Sequence, residues 1–385
     1  MKLGIVTHRV IKGDGQGRVN YEVTWEAIRR GHHVSLLATQ VDPELQQNDQ
    51  VSWIHIPVKG MPMAFFRNIV FSWRSADWLR KHRWQLDLVK VNGAITSAPG
   101  DINAVHFVHS SWLRSPVHTW QQRRDLYGLY QWLYTALNAN WEKKAFRQAK
   151  RVVAVSQKVA KDLIEIGVSP ECIEVIVNGV DLQEFYPGDA DRSRLGLPEG
   201  VTIALFVGDI QTPRKNLDTV LHALVQVPQL HLAVVGTTEG SPYLQLAAKL
   251  GLKERVHFLG YRRDVSEVMR GVDFFVFPSR YETFGLVVLE AMATGLPVIT
   301  ASTTAAVEIV TSESGIVLPD PDDTQALVQA LSMLTSDACL RSQMGQAAIA
   351  IAQHHSWSRT AQNYVNLFEK LSESVRSVQE IGSGG

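Results

Sequence analysis

Apolar residues in this chain recur in two rhythms that alternate from end to end. Short runs rich in Val, Ile, Leu and Phe predict strands at residues 3–7, 34–38, 51–58, 86–91, 104–108 and 152–155. Between them the spacing turns to three and four, which predicts helices over 18–30, 64–82 and 120–149. The chain turns at Asn178-Gly179-Val180-Asp181 and crosses a Pro-, Gly- and Asp-rich stretch at 187–200 that reads as a linker. A second series follows, with strands at 203–207, 230–235, 256–259, 274–277, 298–300 and 315–318, and three more helices close the chain from about 322 to 374. Strand and helix in strict alternation predict an α/β protein of two Rossmann-like, doubly wound domains facing across a cleft. The expected boundaries are 1–180 and 181–355, with a last helix at 356–380 crossing back to the first domain. No internal repeat is visible, and the Gly-Ser-Gly-Gly end at 382–385 reads as a flexible tail.

Composition sharpens this only where it is uneven. Over 385 residues, Lys plus Arg and Asp plus Glu both total 38, so global charge argues for no nucleic-acid partner. Residues 1–180, however, hold 23 Lys/Arg against 15 Asp/Glu, a net +8, and the remainder is −8. Nine of the ten tryptophans lie in that basic half. Two readings stay open: an interfacial surface for anionic lipid or glycolipid, or tryptophans in the core with solvated charges. The helix over 64–84 concentrates the question, because Phe65, Phe66, Ile69, Val70, Trp73 and Leu79 alternate with Arg67, Arg74, Arg80, Lys81 and Arg83. It reads equally as a membrane-surface helix and as a domain helix with snorkelling cations. Cys172 and Cys339 cannot form a disulfide framework, and no pair has zinc-site spacing. No window of ~20 apolar residues spans a bilayer, and the start reads as a strand rather than a leader, so a cytoplasmic location is expected, with peripheral contact at the inner face of the membrane open.

Residues 278–298, PSRYETFGLVVLEAMATGLPV, carry most of the chemistry. They run from the end of an apolar strand through a loop into a helix, the place where α/β folds bind ligands. Free N–H groups and the positive end of the helix dipole there favour phosphate, and Gly285 lets a diphosphate approach the backbone between Phe284 and Leu286. Glu290 falls in the second turn, where a carboxylate can accept from both hydroxyls of a ribose. Glu282, in the loop, lies near whatever group follows the phosphates.

This stretch resembles the signature of the group-one glycosyltransferases, the retaining glycosyltransferase family 4 with the GT-B architecture. The likeness rests on the two glutamates eight positions apart, Phe284-Gly285 between them, and Glu-Ala-Met-Ala-x-Gly-x-Pro-Val after them. Phe206-Val207-Gly208-Asp209 followed by Pro213-Arg214-Lys215-Asn216-Leu217 resembles the family element whose Arg and Lys neutralise the donor diphosphate. Two fixed cations beside a leaving diphosphate stabilise the charge that develops as the glycosidic bond breaks, which makes a metal unnecessary. Many members carry Arg where this chain has Asp209, so Arg214 is expected to take that part.

The resemblance implies more. Residues 256–262, ending in Tyr261 and Arg262, match the strand and turn that read the donor base; the residues do not name the base, and a UDP-sugar is placed ahead of a GDP-sugar. Gly13-Asp14-Gly15-Gln16-Gly17 is similar to the glycine loop that approaches donor phosphates, with Gly15 and Gly17 as binding residues. The dinucleotide fingerprint is not met, since Asn20 replaces its third glycine. His106 and His109 are read as lying on a strand end and pointing to opposite faces, and His109 is taken as the histidine that meets the transferred sugar. Asp101 is the candidate for gripping an acceptor hydroxyl.

The layout around 56–59, 89–93 and 114–146 most resembles the lipopolysaccharide-core glucosyltransferases. The first domain would then hold the acceptor and the second the donor. The expectation is a metal-independent, retaining hexosyltransferase using a nucleotide-diphospho-sugar, without further cofactor, on a glycan or lipid-linked acceptor. The rivals are a catalytically inactive nucleotide-sugar-binding scaffold and a GT-B epimerase or phosphorylase.

Overall fold

A computed structural model describes residues 1–13, 15–58 and 64–382, the last segment with side chains as far as Glu373. Asp14, Lys59 and the 383–385 end of the tail lie outside the described residues. The chain divides into two units, Met1–Asn178 with Trp357–Gly385, and Gly179–Ser356.

The first unit is built on seven parallel strands: β1 (Lys2–Val6), β2 (His33–Ala38), β3 (Val51–His55), β4 (Leu88–Asn92), β5 (Ile102–Val105), β6 (Arg151–Ala154) and β7 (Ile173–Val175). Their order across the sheet is β3-β2-β1-β4-β5-β6-β7. β4 is buried at all five positions, as the central strand of a parallel sheet covered on both faces must be. One face holds Val89 and Val91 against Phe71, Leu79 and Leu86. Alternation places Lys90 and Asn92 on the other. Helices α1 (Gly15–Arg29), α2 (Ala64–His82), α3 (His109–Arg114) and α4 (Leu126–Gln148) flank the sheet. The closing helix, Trp357–Gly382, joins this unit: Glu369 pairs with Arg30 at 2.8 Å and His32 at 2.9 Å, and the Thr360 hydroxyl donates to the Val177 carbonyl.

The second unit has six parallel strands: β8 (Thr202–Val207), β9 (Leu230–Val235), β10 (Val256–Gly260), β11 (Phe274–Phe277), β12 (Val298–Ala301) and β13 (Gly315–Leu318). They run in the order β10-β9-β8-β11-β12-β13. Both units therefore count 3-2-1-4-5-6 across the sheet, the first with a seventh strand added at the edge, which is the doubly wound order that the alternation predicts. In each, the strand order reverses between the first strand and the fourth, at β1/β4 and at β8/β11. Loops leaving adjacent strands at that point part to opposite faces and open a crevice.

The differences from the sequence reading are local. The stretch predicted as one helix over 120–149 is broken, because Arg123 is extended and Asp125 caps a new start by accepting from the Gly128 amide. The linker contains one helical turn, Arg192–Leu195, capped by Asp191. On α2, Phe71 and Leu79 are core residues, whereas Phe66, Ile69 and Trp73 are 45%, 40% and 63% exposed. No helix among the described residues is long and apolar enough to cross a membrane.

Candidate functional site

The crevice of the second unit is assembled by two loops stitched together through their backbones. After β8 the chain makes a 3₁₀ turn at Pro213–Lys215, passes Asn216 in the left-handed region (φ 68°) and enters α5 (Leu217–Val225). After β11 it runs through 278–285 into α6 (Leu286–Ala293). The Arg214 carbonyl accepts from the Arg280 amide at 2.9 Å and the Ser279 hydroxyl at 3.1 Å. The fully buried Asn216 amide donates to the carbonyls of Pro278 and Pro321. Arg280 holds the same seam from the other side, with both nitrogens of its fork on Asp218, Asp322 at 2.7 Å and the Pro213 carbonyl at 2.7 Å. Sequence reasoning passed over Arg280 and Asn216, whose partners lie 40 to 105 residues away.

Inside this seam the Lys215 ammonium is ion-paired to Glu282 and sits 4.8 Å from the centre of the Phe277 ring. Both side chains are largely withdrawn from solvent, at 11% and 14% exposure. Burial pushes the Lys215 pKa down, and Glu282 counters it. Burial pushes Glu282 up, but Lys215, Arg214 and the Thr283 amide outweigh it and hold the carboxyl below its ordinary range. Each partner thus favours the charged form of the other, and the half-buried Arg214 adds a positive charge beside Glu282.

Gly285 stands at the cap of α6 with φ 89° and ψ 62°, a conformation that side-chain-bearing residues adopt only under strain. Phe284 is buried, and Leu286 opens the helix. Glu290 is half-buried one turn further on. Asp209 shapes the β8 loop: it accepts from the Gln211 amide at 2.8 Å and the Thr212 hydroxyl at 2.7 Å. Tyr261 and Arg262 follow β10, two strands from β8 at the sheet edge. Tyr261 is 73% exposed, and Asp264 occupies the Arg262 guanidinium at 2.8 Å. The structure thus brings Arg214, Lys215, Glu282, Phe284, Gly285 and Leu286 to the two loops of one crevice, while Tyr261 and Arg262 belong to a neighbouring turn. Among the described residues no three His, Cys, Asp or Glu side chains are grouped to hold a metal.

The first unit carries two cavities at its own switch point. One, about 340 Å³, is lined by Thr7, His8, Arg9, Gln16, Gly17 and Arg67. Gly17 forms part of its wall, and Gly15 opens α1 and is exposed. The other, about 650 Å³, lies where β4 and β5 end, between α2 and α4. His106 and His109 both line it. This corrects the expectation that they alternate on a strand: β5 ends at Val105, His106 is in the following loop and His109 is the first residue of α3.

Glu142, on α4 and 1% exposed, fixes this corner. One of its oxygens accepts from the His109 amide at 2.9 Å and contacts His109 Nδ1 at 3.1 Å; the other accepts from the Ser110 amide at 2.8 Å. A carboxylate at a helix start satisfies amides that have no partner inside the helix. It leaves Nε2 as the imidazole's remaining polar atom. Sequence reasoning missed Glu142, since α4 is apolar around much of its surface and shows no stripe against which a buried acid stands out. Asp101 lies at the amino end of β5 and is not among the residues that line this cavity. Its carboxylate accepts from Arg83 at 2.7 Å and the Val89 amide at 2.8 Å and pairs with Lys150 at 3.0 Å.

Comparison with known proteins places these features. The model described as "Glycosyltransferase Family 4" matches residues 13–184, and that described as "Glycosyl transferases group 1" matches 188–350. A D-inositol 3-phosphate glycosyltransferase of Salinispora arenicola is 34% identical over 252 residues, covering 59% of this chain and 56% of that protein. The chain thus matches about half the length of this curated relative. Among solved structures, WaaG, a glycosyltransferase involved in lipopolysaccharide biosynthesis, shares the fold with a TM-score of 0.77 at 23% identity, covering 95% of this chain and 99% of that one. Anabaena HepE, solved in complex with UDP-glucose, gives 0.72 at 21% identity, covering 96% and 100%. The paired doubly wound units, the seam of loops around Lys215 and Glu282, and the two tandem matches agree: the chain belongs to the group 1 glycosyltransferases, of GT-B fold.

Proposed function

We propose that the protein is a retaining, metal-independent glycosyltransferase that moves a hexose from a nucleotide-diphospho-sugar, a UDP-sugar ahead of others, to a glycan or lipid-linked acceptor. The observation that carries the reading is the largely solvent-withdrawn Lys215–Glu282 pair beside the Gly285 start of α6. In this reading Lys215, Arg214 and the free amides of α6 receive the donor diphosphate. Glu290 receives the ribose diol, and Glu282, held ionised by Lys215, meets the sugar. HepE, which shares the fold, holds UDP-glucose, and that supports a UDP-sugar.

The bond that breaks joins the anomeric carbon to the diphosphate oxygen, and the nucleotide diphosphate leaves with its electron pair. Fixed cations and helix amides aimed at that oxygen stabilise the growing charge without reorganising. An acceptor hydroxyl attacks from the face the phosphate leaves, and its proton passes to the departing phosphate oxygen. His109, clamped by Glu142, offers Nε2 to the transferred sugar. Peripheral contact with an anionic membrane belongs to the same proposal, supported by the exposed Phe66, Ile69 and Trp73 on a helix that also carries Arg67 and Arg74. Lys215→Ala and Glu290→Ala should each lower transfer by at least ~100-fold, roughly 2.7 kcal/mol of transition-state stabilisation. Near-wild-type nucleotide release in both variants refutes the assignment.

A further inference from the structure

Two polar atoms in the wall of the 650 Å³ cavity have no hydrogen-bond partner: Asn92 Nδ2 and His106 Nε2, each buried. Asn92 as a whole is 5% exposed. A buried donor left unpaired costs about 1–3 kcal/mol, so native folds seldom keep one without a use. The two belong to one wall. Asn92 ends β4 and is in register with Ala104 on β5, and His106 lies two residues beyond Ala104.

What fixes the Asn92 amide is Lys90, two residues earlier on the same face of β4. Lys90 is fully buried, and its ammonium donates to Asn20 Oδ1 at 2.6 Å and Asn92 Oδ1 at 3.2 Å. The ring of Tyr364, on the closing helix, lies 5.4 Å away. Because the lysine occupies the amide oxygen, the NH2 end of Asn92 is the one left over as a donor. Burial, with Lys90 nearby, drives the His106 pKa down to about 3, so its ring is neutral and offers a lone pair or an N–H according to tautomer. Elsewhere the cavity is lined by Ile69, Trp73 and Trp141, all exposed at its mouth, and Lys144 is the one Lys or Arg among the described lining residues.

We propose that Asn92 and His106 form a hydroxyl-reading floor in this cavity, for an uncharged sugar or cyclitol ring whose apolar substituent leaves past Trp73 and Trp141, and that Lys90 is the positioning residue that turns the Asn92 amide toward it. This rests on the transferase reading and names the acceptor class within it. One fixed donor and one imidazole nitrogen suit a pair of neighbouring hydroxyls, each of which both gives and accepts. A phosphomonoester would demand more positive charge than one lysine supplies. The cavity volume falls within the ~300–1,000 Å³ of small-molecule sites, enough for a ring and part of a chain.

The test uses the full chain with UDP-glucose as donor. The acceptors are octyl β-D-glucoside below its micelle concentration, methyl β-D-glucoside and myo-inositol 3-phosphate, and nucleotide release is the readout. Calorimetric binding of UDP-glucose reports the donor site separately: its absence counts against the transferase reading, whereas binding without the acceptor effects below counts against this proposal alone. The octyl glucoside should exceed the methyl one by about tenfold or more in kcat/KM, the order expected for burying several methylenes. Asn92→Asp, which keeps the shape but replaces the donor with an acceptor paired to Lys90, should raise acceptor KM at least about tenfold while kcat moves less than about threefold. His106→Phe should do the same, and His106→Gln, which keeps a donor and an acceptor, should recover most of the loss. Lys90→Met should raise acceptor KM while Tm shows the fold retained. The proposal is overturned if acceptor KM stays within twofold of wild type in Asn92→Asp and His106→Phe, or if myo-inositol 3-phosphate outperforms both neutral glucosides.

Discussion

Replacing Lys90 by Met should change how the stability of the first unit depends on pH, by an amount the structure fixes. The ordinary lysine pKa of 10.5 is pushed down to about 7 by burial. Below about pH 7 folded and unfolded chains both hold the proton, and the buried charge is at its most costly. Between about pH 7 and 10.5 the unfolded chain holds a proton that the folded chain has released, so stability rises with pH across that window. At ~1.36 kcal/mol per pH unit the whole window has a ceiling near 5 kcal/mol, and the part between pH 7 and 9 is about 2 kcal/mol. Methionine has nearly the same length and no proton to lose. It also forfeits the bonds to Asn20 and Asn92, but that loss is a constant offset and cannot mimic a slope. The other titratable groups facing Lys90 stay out of the window: His106 is at about 3, and burial raises the Tyr364 hydroxyl above its usual range. All ten tryptophans belong to the first unit, so tryptophan fluorescence in urea follows that unit alone. The free-energy gap between Met variant and wild type should shrink by about 2 kcal/mol from pH 7 to pH 9. A gap constant to about 0.5 kcal/mol over that range refutes the argument, for Lys90 would then be as easily protonated in the fold as out of it.

Two further outcomes follow from geometry. Gly285→Ala meets no close obstacle, since a Cβ would lie 3.4 Å from Glu282 Cγ and farther from its other neighbours, so its cost is the left-handed backbone itself. Calorimetric unfolding of the second unit should weaken by about 1–2 kcal/mol, and donor affinity should fall as the added methyl obstructs the helix start. An unchanged affinity would separate Gly285 from the donor. Asp101→Ala strands the Val89 amide and two cations, and should destabilise the first unit by about 2–3 kcal/mol in the same fluorescence assay. A rise in acceptor KM without that loss would favour the acceptor role read from the sequence.

The strands of both sheets were legible because β-branched and aromatic runs have one cheap destination, the middle of a parallel sheet. Phe274–Phe277 and Gly315–Leu318 begin and end where the pattern places them. Ile173–Val175 escaped, being three half-buried and exposed residues at a sheet edge. In the second unit Glu282, Gly285 and Glu290 were legible as a set because all three are spaced along one loop and helix. The Arg262 tie to Asp264 was also within reach, lying two residues along the chain. The seam through Arg280, Asn216 and Asp322 was not, since its partners meet only when the loops leaving β8, β11 and β13 gather at one end of the sheet.

Lys90 and Lys215 show why such residues must be read in three dimensions. Each is a lysine at the switch point of a doubly wound sheet, Lys90 fully buried and Lys215 largely withdrawn from solvent, and nothing in the sequence around either tells their electrostatics apart. Lys215 faces a carboxylate, which counters part of what burial does to its charge, and in the proposed function it is the cation that a diphosphate uses. Lys90 faces two amide oxygens and an aromatic ring, none of which carries a full negative charge, and burial takes its pKa down to about 7. A group that sheds its proton near neutrality is a poor anchor for phosphate, yet charged or neutral it still donates N–H to the Asn92 oxygen. Its use is therefore orientation rather than charge, and that holds on either side of its titration.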